Sequence, residues 1–143
     1  MADAIKAIKK RPGAMTYADA VTYRLPPAGV VSILHRLSGL LLIVLMPFVI
    51  WMFDTSLTDE ITFDRFRGAF IGGVGFVPAF IVKLVTLVLI WSFLQHFCAG
   101  VRHLYMDFTH SVTKEFGRTS ALVAMVTALV LTIAFGVKLF TGY

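Results

Sequence analysis

The 143-residue chain contains little that a soluble enzyme would need. It has one cysteine, Cys98, set within an apolar run, so it can build neither a disulfide framework nor a Cys-ligated zinc or iron-sulfur site of its own. No G-x-G-x-x-G or Walker-type loop occurs, which removes the usual signs of a flavin, nicotinamide or nucleotide carried by this chain. Charge is scarce: 15% of residues are Asp, Glu, Lys or Arg, against 58% hydrophobic residues and a mean hydropathy of +0.84. A domain of this size with that balance is solvated mostly by lipid. The first 27 residues lack an apolar stretch followed by a small-residue cleavage site, so no secretory signal is expected, and they lack the Arg- and Ser-rich pattern of a transit peptide. These features favour a bacterial inner membrane over an organelle.

Three runs are apolar over the length of about 20 residues that a helix needs to cross a bilayer. They extend from Gly29 to Phe53, from Val77 to Tyr105 and from Ser120 to Phe140. The expected fold is therefore an all-α membrane protein of three transmembrane helices, forming one membrane-anchor domain over residues 1–143 with an arm at 1–28. Pro26 and Pro27 suit the start of the first helix, and Pro47 predicts a kink within it. The acidic, then glycine-rich stretch at 54–76 and the polar stretch at 106–119 read as loops.

Lys and Arg placement gives the orientation. Nine lie on the arm side or in the second connection, including Arg24, Arg36, Arg102, Lys114 and Arg118. Four lie on the other side, namely Arg65, Arg67, Lys83 and Lys138, accompanied by Asp54, Asp59, Glu60 and Asp64. The positive-inside rule then puts the N-terminus in the cytoplasm and the C-terminus outside. The net charge of +5 is thereby explained as topology rather than nucleic-acid binding. Lys83 and Lys138, near outer helix ends, fit snorkelling side chains.

Ionisable groups inside a membrane helix are costly and mark function by default. Here they gather at one level, because consecutive spanning helices are antiparallel. The first helix opens with Ser32, His35 and Arg36, and the second closes with His96, Arg102, His103 and Asp107. His96, Ala99, Gly100 and His103 recur at i, i+3, i+4 and i+7 along one helical face, with small residues leaving a flat gap between the histidines. At 1.5 Å per residue His96 lies roughly 10 Å deeper than His103, comparable with the reach from a haem iron to its propionates. His96 is thus a candidate axial ligand, with Arg102, His103, His35 and Arg36 available near the charged haem edge. A histidine bonded to a neighbouring helix and a glycine of close helix packing are the bland alternatives. Ser32 and Arg36, one turn apart, could donate hydrogen bonds to a quinone carbonyl; a helix cap and an arginine on lipid phosphate would look the same. Asp107 either counters a nearby arginine or is solvated.

The strings SILHRLSG at 32–39 and H-x5-RHLYMD from His96 to Asp107 resemble the cytochrome b556 membrane subunit of succinate dehydrogenase. Arg11-Pro12 and the YRLP run from Tyr23 to Pro26 are also similar, whereas GAMTYADAVT between them departs from the S-P-H-L common in that family. The resemblance implies a chain that packs with a second anchor subunit around haem b, each subunit giving one histidine, and that carries a flavoprotein and an iron-sulfur subunit. Electrons from succinate would then reach ubiquinone. It implies His96 as the haem-iron ligand, Ser32 and Arg36 at the quinone, and His35 and His103 near the propionates. A fumarate reductase anchor would use the same parts in reverse. A haem-free assembly subunit, or a transport subunit with histidines relaying protons, is the contrasting reading.

Overall fold

The computed structural model describes residues 25–110 and 113–142, so the arm motifs at Arg11, Pro12, Tyr23 and Arg24 lie outside the described residues. Within them the chain is five helices: α1 (Pro27–Val44), α2 (Met46–Leu57), α3 (Glu60–Ile71), α4 (Ala79–Thr109) and α5 (Lys114–Thr141). No strand occurs among the described residues; the only β feature there is an isolated bridge between Val74 and Val77. α1, α4 and α5 are each long and apolar enough to cross a membrane, which makes this a multi-pass membrane protein.

Pro47 has the expected effect, two residues early. A proline at 47 gives no N–H to the Ile43 carbonyl and crowds it, so regular helix cannot run through. The chain divides at Leu45 (φ −85°, ψ −1°), and the Leu45 N–H still reaches the Leu41 carbonyl at 2.9 Å. α2 then carries the same run onward to Leu57.

The stretch at 54–76 is not simply a loop. Asp59, in extended backbone, accepts the Thr62 N–H at 2.7 Å, while the Thr62 hydroxyl faces the Asp59 N–H at 3.1 Å, a reciprocal cap that starts α3. Phe66, Ala69 and Phe70 then recur at helical spacing. Ala69 and Phe70 are buried against Val82 of α4 and Leu139 of α5, with Phe48, Trp51 and Met52 of α2 around them. α3 therefore folds back onto the end of the bundle where α4 begins and α5 finishes.

The return into α4 is tight. Val74 and Val77 exchange N–H to carbonyl bonds of 2.9 Å, with Gly75 (φ +58°) at the first central position of the reversal. Gly73 has φ +95°, and a Cβ there would run into the Val77 carbonyl oxygen.

The connection at 106–119 is also mostly helix. α4 continues to Thr109 and ends on His110 in the left-handed region (φ 52°), and α5 starts after Thr113, whose hydroxyl accepts the Phe116 N–H at 3.3 Å. At 1.5 Å per residue α4 is about 46 Å long, well beyond a hydrocarbon core of about 30 Å. Its end carrying Tyr105 and Asp107 thus extends toward the interface. α5 packs on α4 through a line of small residues, with Ala121, Ala124, Ala128, Thr132 and Gly136 all buried. Val31 of α1, Ala99 of α4 and Ala121 of α5 form a small buried cluster near the opposite end of the bundle from α3.

Candidate functional site

The site is built where the first turns of α1 meet the last turns of α4. Glycines and alanine let the helices approach: a Cβ on Gly39 would lie 3.0 Å from His96 Cε1, and one on Gly100 would lie 3.8 Å from His35 Nε2. Ala99 between them is fully buried. The close approach brings three histidines together. The His35 ring stacks on His96 with centroids 4.1 Å apart and planes 20° from parallel, and it stands 5.3 Å from the His103 ring at 47°.

His35 therefore occupies the space that the spacing of α4 alone leaves open. The flat gap between His96 and His103 is filled by an imidazole from α1.

The hydrogen bonds define the chemistry of His96. Its Nδ1 lies 3.0 Å from the His35 carbonyl oxygen, which can only accept, so the proton is on Nδ1. Ser38, fully buried, donates to that same carbonyl at 2.9 Å and holds its Oγ 3.4 Å from His96 Nδ1. Nε2 is left with its lone pair free of that contact. A histidine with one ring nitrogen tied to a backbone carbonyl and the other basic is oriented as a metal ligand needs. The residues present thus fit a haem-ligating role for His96. Ser38 and Gly39 went unassigned in the sequence, although both stand in the SILHRLSG string. The signal was a serine and a glycine adjacent on a helix that must approach another closely.

The remaining candidates divide. Ser32 is half-buried and Arg36 exposed, one turn apart on α1 beside His35, and among the described residues neither is engaged by another side chain. Arg102 goes elsewhere: nine-tenths buried, it donates from Nε to Ser120 Oγ at 3.0 Å and from Nη2 to the Gly117 carbonyl at 3.2 Å, both on α5. It is not among the groups gathered at the histidines. Asp107 is exposed at the end of α4. At the far end of the bundle Lys83 Nζ lies 5.7 Å from the centre of the Phe140 ring, a cation–π contact.

Fold and site define a helical, multi-pass membrane protein with a histidine cluster between two spanning helices at one membrane level. Residues 9–135 match the model of the succinate dehydrogenase/fumarate reductase transmembrane subunit family, and the chain belongs to that family. It is similar to a protein named succinate dehydrogenase cytochrome b556 subunit from Coxiella burnetii, 27% identical over 119 residues, which span 83% of this chain and 90% of that one. Proteins of the same name from Paracoccus denitrificans and Rickettsia felis are 25% and 23% identical over 78% and 77% of this chain, each across 80% of its own length.

Proposed function

We propose that this chain is the cytochrome b subunit of a succinate:quinone oxidoreductase in a bacterial inner membrane. On this reading it binds haem b together with a second anchor subunit, anchors a flavoprotein and an iron-sulfur subunit, and forms part of the site where ubiquinone is reduced. Its N-terminus faces the cytoplasm, as the distribution of Lys and Arg requires. No stand-alone activity is expected of the chain, because its sequence offers no flavin-binding loop and a single cysteine for cluster ligation. The observation carrying the proposal is the 3.0 Å contact of His96 Nδ1 with the His35 carbonyl, which leaves Nε2 basic on a half-exposed ring. The names of the three bacterial relatives favour succinate oxidation over fumarate reduction.

His96 would be this chain's ligand to the haem iron, and the second anchor subunit would give the other. Haem, when bound, supplies a one-electron store close to the quinone. The chain's own residues do the rest. The His35 carbonyl and Ser38 hold the His96 ring in one orientation, so ligation requires no rotamer search. The His35 and His103 imidazoles can donate hydrogen bonds to carboxylates at the polar edge. Arg36 would donate charge-assisted hydrogen bonds to a quinone carbonyl, whose oxygen becomes more negative as electrons arrive, and Ser32 would add a neutral donor. Protons come from the aqueous side, which the interfacial level of these residues keeps within reach.

Purification of the complex through a tag on this chain tests the proposal. Co-purification of flavin and iron-sulfur subunits, a b-type absorption band after dithionite reduction and succinate-driven ubiquinone reduction are expected. A complex with no b-type band would identify a haem-free anchor, and turnover confined to fumarate reduction by a low-potential quinol would reverse the direction.

A further inference from the structure

Arg102 poses a problem that the histidine cluster does not solve. The residue is nine-tenths buried, yet the two hydrogen-bond partners of its guanidinium, the Ser120 hydroxyl and the Gly117 carbonyl, are neutral. Among the described residues no carboxylate lies within ion-pair distance of it. A cation in that setting calls for an anion from beyond the described residues.

Arg102 and Ser120 line a groove of about 480 Å³ between α4 and α5. The groove is graded along the helix axes. Its interfacial end holds Arg102, Ser120 and the stacked rings of Tyr105 and Phe116, whose centroids are 5.8 Å apart. Its deeper end is walled by Phe97, Val123 and Ala124, with Thr127 deepest on α5. Phe97 lies about 12 Å along the axis from Tyr105 at 1.5 Å per residue. Lys114 and Arg118, both exposed in the first turns of α5, outnumber Glu115 and add positive charge at the same level, as does the N-terminal end of the α5 dipole.

We propose that this groove binds one membrane phospholipid, its phosphodiester on Arg102 and one acyl chain along Phe97 and Val123. The gradient decides the occupant. A polar, cationic and aromatic end at the interface followed by a largely apolar open groove matches the order of headgroup and chain in a bilayer lipid. A partner helix would fit only by bringing a carboxylate to Arg102 at that level, an outcome the test separates from lipid binding. The site lies on the α5 side of α4, away from the three histidines, and does not depend on what they bind.

The test uses the assembled complex, exchanged into a detergent free of phospholipid and examined by native mass spectrometry after addition of dimyristoylphosphatidylcholine, dimyristoylphosphatidylglycerol or dimyristoylglycerol. Two variants are compared. Arg102→Gln removes the cation, and Val123→Trp fills the channel without touching the bonds of Arg102. The unmodified complex is expected to retain one of either phospholipid per copy of this chain and to release the diacylglycerol, which has no phosphate. Retention should fall at least about tenfold in both variants. Equal retention of diacylglycerol, unchanged retention in Val123→Trp, or no phospholipid on the unmodified complex because a partner carboxylate meets Arg102, would each overturn the proposal.

Discussion

Gly39 is the position at which the geometry makes its sharpest demand. An alanine Cβ there would sit 3.0 Å from His96 Cε1 and 3.2 Å from Nδ1, whereas carbon atoms in contact rest about 3.5–4.0 Å apart. The imidazole must therefore retreat by about 0.5 Å or more. Its bond to the His35 carbonyl, 3.0 Å long, would stretch beyond the range of about 2.7–3.2 Å in which such bonds hold. Losing that bond costs about 0.5–1.5 kcal/mol, and overpacking a closed contact adds about 1–3 kcal/mol. At 1.4 kcal/mol per factor of ten, Gly39→Ala should weaken haem retention by about tenfold to a thousandfold. The assay is pyridine haemochrome per complex, followed by transfer of haem to excess apomyoglobin. Gly68→Ala is the control, because nothing lies within 4 Å of a Cβ at that position of α3; haem retention there should be unchanged. An alanine at 39 that leaves both stoichiometry and transfer rate at the unmodified values would refute the orientation argued for His96.

Arg36→Leu should impair succinate-driven quinone reduction more than Ser32→Ala, since a charged donor is worth more to a developing oxyanion than a neutral one; succinate oxidation with a soluble acceptor serves as the control for assembly. Cysteine introduced at Thr58 should react with a membrane-impermeant reagent from outside the cell and not from the cytoplasm, and the opposite result would invert the topology. The Thr62 N–H that Asp59 accepts holds the Asp59 carboxyl below its ordinary range. A depressed folded value means that the cap stabilises α3 above the ordinary aspartate range and is lost as pH falls through the lowered value. Protection of the Thr62 amide, taken against its intrinsic exchange rate at each pH, should accordingly fall in acid, and Asp59→Asn should remove that pH dependence.

Much of this was legible before any coordinates. The three spans were readable because a bilayer requires long apolar helices, and the histidine face of α4 because i, i+3, i+4 and i+7 is a geometric statement about one helix. What one helix cannot show is what its neighbours do. The gap between His96 and His103 is a property of α4; its filling by His35 is a property of α1 packed on it. The direction of Arg102 likewise follows from α5 covering a different face of α4. α3 escaped notice because its cap is Asp-x-x-Thr rather than a serine or threonine followed by glutamate, and because glycines after it suggested irregular chain. Helix α4 overran its expected end because polar residues such as Asp107 and Thr109 can stay helical once outside the hydrocarbon.

The central claim is that His96, oriented by the His35 carbonyl, is this chain's haem ligand while His103 stands near the polar edge. Haem quantitation on purified His96→Leu and His103→Leu complexes tests it most directly. Loss or severe depletion of haem in the His96 variant, with haem retained at shifted midpoint potential in the His103 variant, is the predicted result. Full haem in His96→Leu together with its loss in His103→Leu would contradict it.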